Sequence, residues 1–176
     1  GPNLGQVVSA PWARELFIPH PGHVMVGADL EGLELRCLGH YLSRFDEGAF
    51  AEVVLNGDIH QQNADRVGCT RKEVKTITYA FIYGAGDVKL GHSLSPELSD
   101  AQKKQLGGEL RRKFLDAIPG LEPLIDAVKQ RVRSSGRIIG LDRRPIFCKA
   151  EHASLNYLLQ SCGAIISKRW VVIGQE

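Results

Sequence analysis

No stretch of this 176-residue sequence approaches the ~18 consecutive apolar residues of a membrane span. It opens on no basic-then-apolar leader of the secretory kind. Cysteine is scarce. The four thiols, Cys37, Cys69, Cys148 and Cys162, include no Cys-x-x-Cys pair. That argues against a zinc site or a disulfide framework and points to reduced thiols in a cytoplasmic setting. There is no internal repeat and no low-complexity linker, which excludes solenoids and tethered modules.

What remains is an ordinary globular composition, 43% hydrophobic and 24% charged. The length suffices for one core or two small subdomains. The net charge of +2 is unevenly spread. Residues 1–70 hold 4 Lys/Arg against 9 Asp/Glu, and residues 71–149 hold 16 against 9. Such a split suits a protein that gathers cations in one place and polyphosphate in another, and equally a solvated surface with chance asymmetry. The sequence begins Gly-Pro-Asn-Leu and stops directly after an apolar helical pattern, so a piece of a longer polypeptide is expected.

The hydrophobic pattern predicts an α+β chain rich in helix. His23 to Ala28 reads as a short buried strand, and Leu33 to Phe45 as a helix with Leu35, Leu38 and Leu42 on one face. Ala49 to Leu55 is a short helix. Asp58 caps the next, which runs to about Val67. Thr70 and Glu73 form a capping-box pattern for a helix reaching Tyr83, where Gly84-Ala85-Gly86 ends it. Ser99 to Leu115 and Leu121 to Ser134 are helices separated by Pro119-Gly120. Arg137 to Ile139 and Pro145 to Lys149 form a hairpin around Gly140-Leu141-Asp142-Arg143, and Ala153 to Val172 is a closing helix whose Leu and Ile side chains are expected to lack neighbours.

Four segments can carry chemistry. Arg71, Lys75, Tyr79 and Tyr83 recur every four residues, so at ~100° per residue they form one slowly drifting stripe, with Val74, Ile77 and Phe81 opposite. Cations pair with phosphates and rings stack on sugar and base. A triphosphate would lie toward the helix start, where backbone N–H groups also favour anions. An amphipathic surface helix accounts for the same pattern. Asp29, at the end of the expected strand, suits a hard cation such as Mg²⁺, or simply caps a helix. Asp58 and His60 open another helix, where His60 could donate to a phosphate oxygen. His152, Asn156 and Gln160 stand four residues apart on the last helix, fitted to minor-groove base acceptors or to solvent.

The order of these segments carries a resemblance. Asp29-Leu30-Glu31-Gly32-Leu33-Glu34-Leu35-Arg36 resembles the first catalytic motif of the family A DNA polymerases (the DNA polymerase I family). Arg71-Lys72-Glu73-Val74-Lys75-Thr76-Ile77-Thr78-Tyr79-Ala80-Phe81-Ile82-Tyr83-Gly84 resembles the fingers helix of that family. Gly140 to Arg143 and His152 to Ser161 resemble the next block, with details similar to the polymerases of short-tailed bacteriophages. The resemblance implies a partial palm over residues 1–60, fingers over 61–139, and a hairpin and long helix over 140–176 returning to the palm. It implies DNA-templated DNA synthesis in phage replication, in the host cytoplasm, with primer-template DNA and dNTPs as partners. A processivity factor is a further candidate partner. No membrane is implicated.

Residue by residue, the resemblance makes Asp29 a ligand of two catalytic Mg²⁺ ions, with the Leu30 carbonyl beside it. Glu34 becomes the steric gate against a ribose 2′-OH. His60, Arg71 and Lys75 hold the triphosphate, and Lys75 is placed to act as general acid for the leaving pyrophosphate. Tyr79 lies against the sugar, where Tyr is the variant associated with accepting dideoxynucleotides. Tyr83 and Gly84 fall at the templating position, and His152, Asn156 and Gln160 touch template and primer. Bacterial members usually carry Arg at the position of His152.

Two rivals stand beside this reading. One is a single-subunit RNA polymerase, which shares the fingers pattern but should not place a side chain as bulky as Glu34 beneath a ribose. The other is a non-catalytic nucleic-acid-binding module. The family also needs a second metal-binding Asp in a His-Asp-Glu motif, which occurs nowhere in this sequence. Two-metal phosphoryl transfer holds its ions about 3.5–4 Å apart, more than one carboxylate can secure. The 176-residue polypeptide is therefore expected to show little or no extension of a labelled primer with Mg²⁺ and dNTPs. Robust synthesis in that assay would refute the expectation.

Overall fold

The computed structural model describes residue 8 and residues 10–175. The described residues fall into two compact units, divided between Glu31 and Gly32.

In the first unit, helix α1 is a single turn, Pro11–Arg14. Proline at its start has no N–H to leave unpaired and a φ already suited to helix. The expected strand at His23–Ala28 does not form: this segment has no regular structure, and Val24 and Val26 are 82% and 88% exposed. An apolar run becomes a strand only when a neighbouring edge completes its hydrogen bonds and another layer covers its face. Among the described residues no strand pairs with it.

The second unit holds the core. Helix α2 (Leu33–Asp46) buries Leu35, Leu38 and Leu42, the expected face. Helix α3 (Ala49–Asn56) packs against it, with Gly39 set on the backbone of Ala51. Helices α4 (Ile59–Val67) and α5 (Arg71–Ile82) follow as an adjacent pair. Then come α6 (Asp87–Leu94), α7 (Asp100–Ala117) and α8 (Leu121–Ser135). Strands β1 (Arg137–Ile139) and β2 (Pro145–Phe147) form an antiparallel hairpin with Ile138 opposite Ile146. A 3₁₀ turn, Glu151–Ala153, leads into α9 (Ser154–Ile173). The result is α+β with helix dominant. Among the described residues, no helix is long and apolar enough to cross a membrane.

Leu155, Leu158, Leu159 and Cys162 of α9 are buried, and the helix packs on α2 and α8. The expectation that its leucines lack neighbours is corrected: the large apolar side chains of α9 that stay open to solvent lie in its last turn, Trp170 to Ile173. Helix α6 was not legible in the sequence, because Gly91 at its middle lowers helix propensity by about 1 kcal/mol. The same glycine explains why it forms. Gly91 lies on the backbone of Lys103, and Gly107 of α7 lies on the backbone of Asp87. A Cβ at either position would fall inside the facing carbonyl. Helices α6 and α7 thus meet backbone to backbone, at a separation that side chains would forbid.

Gly107→Ala must push the helices apart and is expected to cost about 2–3 kcal/mol. That corresponds to a melting midpoint lower by roughly 5–10 °C for a chain of this size. Gly108→Ala is the control, since the nearest atom to its added methyl lies 3.9 Å away. Equal midpoints for the two variants would contradict the packing argument.

Candidate functional site

Helix α5 presents two unlike faces. Val74, Ile77, Thr78 and Phe81 are buried, with Phe81 against Phe114 of α7 at 4.8 Å between ring centres. The rotation this fixes leaves Arg71 and Lys75 exposed, Tyr79 half-buried and Tyr83 exposed, all along the other face. The stripe expected from the four-residue spacing is thus real.

The start of α5 differs in one respect from expectation. Thr70 Oγ1 accepts the Glu73 N–H, and the Glu73 carboxylate accepts the Thr70 N–H. A carboxylate already occupies the positive end of the helix, so anion binding there falls to side chains rather than to free backbone donors. Those side chains have company from α4. The His60 ring lies 6.2 Å from the Tyr79 ring, and its Nδ1 is buried with no hydrogen-bond partner among the described residues. Burial, then the nearby Arg71 and Lys75 cations, pull the His60 pKa below its ordinary value, and Asp58 partly opposes them. Asp58 is ion-paired to Arg71 at 2.8 Å, and the Arg71 hydrogen bond is the chief reason its carboxyl is held below the usual range.

At the far end of the stripe, Tyr83 Oη donates to Glu34 Oε1 at 3.1 Å. Burial, then the Glu34 charge, raise the Tyr83 phenol pKa, while a hydrogen bond with Gln160 works against them. Tyr79 is raised by burial first, then by Glu34 and Tyr83. Glu34, Tyr79, Tyr83 and Gln160, from three helices, therefore converge on one place. Gly84 ends α5 with φ +75°, a left-handed conformation that favours glycine, and lies close to the His152 carbonyl. Beyond it opens a cleft of about 540 Å³ lined by Gly84, His152 and Asn156, with Arg111 and Lys129.

Asp29 and Leu30 belong to the first unit, with Asp29 exposed and Leu30 half-buried. Asp29 does not cap α2, whose cap residue is Gly32 without a side-chain hydrogen bond. Among the described residues, no three His, Cys, Asp or Glu side chains cluster as a metal site would require. Asp29 and Leu30 do not amount to a two-ion Mg²⁺ centre by themselves.

Arg111 went unnoticed in the sequence. Its Nε donates to Asp87 and its Nη2 to the Ala85 carbonyl, both at 2.7 Å, while its guanidinium lies 5.4 Å from the Phe81 ring centre. One side chain of α7 thereby grips α5, the turn after it and the start of α6. Nothing local marks Arg111 out from Arg112 or Lys113, since its partners lie more than twenty residues away.

A family model described as DNA polymerase family A matches residues 2–175. Over 168 residues the chain is 39% identical to the DNA-directed DNA polymerase of Escherichia phage T7, covering 87% of this chain and 23% of the relative. Over 189 residues it is 33% identical to the DNA-directed DNA polymerase of Escherichia phage Phieco32, covering 89% and 30%. The chain thus spans about a quarter of the length of these curated relatives. The solved POL domain of Pol1 from M. smegmatis, in complex with DNA primer-template and dNTP, matches with TM-score 0.69 over 94% of this chain and 32% of that one. At 20% identity that likeness concerns the fold.

The environment of His60 has a measurable consequence. The folded state holds this imidazole neutral more firmly than the unfolded chain does, so below the ordinary value of 6.5 the unfolded state binds more protons. Its contribution to stability is fully present above about 6.5 and is lost as pH falls through the lowered folded value. A proton NMR titration should give His60 a midpoint below 6.5. Arg71→Ala should raise that midpoint by removing one of the cations. A His60 midpoint at or above 6.5 would contradict the assigned environment.

Proposed function

Because the chain belongs to DNA polymerase family A, we propose that it forms the nucleotide- and template-binding part of an enzyme that copies DNA. The reaction is attack of a primer 3′-OH on the α-phosphate of a dNTP, with release of pyrophosphate. The observation that carries this reading is the exposed face of α5, with His60 beside its cationic end and Glu34 bonded to its aromatic end.

On this reading, Arg71 and Lys75 bind the triphosphate from one side and His60 from the other. A lowered pKa leaves His60 neutral near pH 7, with one ring N–H still able to donate to a phosphate oxygen. Lys75 is the group positioned to give a proton to the departing pyrophosphate. Tyr79 lies along the sugar; its phenol is uncharged near neutral pH, and burial raises its pKa further. Glu34 stands where the sugar meets the base and excludes a 2′-OH. Tyr83, Gly84, His152, Asn156 and Gln160 contact the template and primer, the cleft beyond Gly84 supporting that side of the assignment. Asp29, with the Leu30 carbonyl, is the proposed Mg²⁺ ligand within this chain. Residues 1–60 are proposed as palm, 61–139 as fingers and 140–176 as the return to the palm. Primer-template DNA, dNTPs and a processivity factor are the proposed partners.

Glu34 supplies the test. In the polymerase that carries this chain, Glu34→Ala is expected to raise ribonucleotide use relative to dNTP use by about tenfold or more, the scale of a steric discrimination within a pocket. Single-nucleotide kcat/KM values for a matched rNTP and dNTP measure this ratio. An unchanged ratio would remove the gate assignment.

A further inference from the structure

Asp58 uses its two carboxylate oxygens for different tasks. Oδ1 accepts the backbone N–H groups of His60 and Gln61, at 3.1 and 3.0 Å, and so closes the first turn of α4. Oδ2 accepts Nε–H of Arg71 at 2.8 Å, on the first turn of α5. One side chain therefore ties together the starts of the two helices that bear His60, Arg71 and Lys75. The pair contributes little to stability, because both side chains are about half exposed, at 53% and 47%. What it fixes is direction. A guanidinium has five N–H donors in a flat fork, and engaging Nε leaves the four Nη donors on its other edges.

We propose that Asp58 is a positioning residue of the phosphate site: it holds Arg71 by Nε, so that the Nη groups face a polyphosphate alongside His60 and Lys75. This rests on the reading of that site given above. A carboxylate acting instead as a plug would be expected to take the two-pronged Nη edge, the one that best matches a phosphate. Here it takes Nε alone. The unpartnered, buried Nδ1 of His60, next to the turn that Asp58 caps, is a second polar group held ready in the same place.

The test uses the 176-residue chain with inorganic tripolyphosphate as probe, followed by calorimetry in 0.3 M salt, where the bare charge of residue 58 is screened beyond about 5 Å. Asp58→Asn keeps a capping oxygen for α4 but presents no second acceptor to Arg71. Asp58→Ser also caps and is too short to reach Arg71. Both variants should melt close to the wild type and bind tripolyphosphate about three- to fivefold more weakly, the scale of one exposed pair and one ordered side chain. In an Arg71→Lys background, Asp58→Asn should make no further difference. Unchanged or tighter binding by the Asp58 variants would overturn the proposal and leave the phosphate site standing. The same loss in the Arg71→Lys background would overturn it too, because the effect would not act through Arg71. If the wild type and Arg71→Ala chains both fail to bind the probe, the phosphate-site reading falls, and this proposal with it.

Discussion

The rotation of α5 about its own axis is the constraint on which the site depends. Val74, Ile77, Thr78 and Phe81 are sealed against α4, α6 and α7, and that burial admits only one orientation. Once it is set, Arg71, Lys75, Tyr79 and Tyr83 have no choice but to face outward together. Burying each large side chain is worth roughly 1.5–3 kcal/mol. The exposed ion pair and the tyrosine–glutamate hydrogen bond are individually weaker than this. The core therefore holds the exposed face in place, and polar contacts trim it.

Around this helix the electrostatics grade from one end to the other. Burial is the main cause of each shift, and beyond it Arg71 and Lys75 lower the proton affinity of His60, while Glu34 raises that of Tyr79 and Tyr83. A cation-rich end passes into an anion-guarded aromatic end within the length of one short helix. That polarity matches the polarity of a nucleoside triphosphate, charged at one end and ring-like at the other.

The sequence made the second unit largely readable, because its signals are local. Thr70 with Glu73, Asp58, and the leucines of α2 each specify their element within one or two turns. The stripe on α5 was equally legible, being a matter of period alone. The failures were non-local. His23–Ala28 has the composition of a strand, but a strand also requires a neighbour, and composition carries no record of one. Helix α6 hid behind Gly91, which looks like a breaker until Lys103 is brought against it. The pairing of Asp58 with Arg71 and the grip of Arg111 on Ala85 and Asp87 join residues far apart in the chain, so no spacing rule announces them.

The glycine contact between α6 and α7 bears on how this region can move. Helices that meet through side chains can slide, because rotamers exchange and ridges find new grooves. Where Gly91 and Gly107 set backbone on backbone, there is nothing to rotate. The two helices then act mechanically as a single strut, fastened to α5 by the Arg111 guanidinium at Phe81 and to the turn after α5 at the Ala85 carbonyl. A tilt of α5 would be carried whole along that strut rather than absorbed at the joint, so the tyrosine end of the stripe and the cleft beyond Gly84 would shift as one piece.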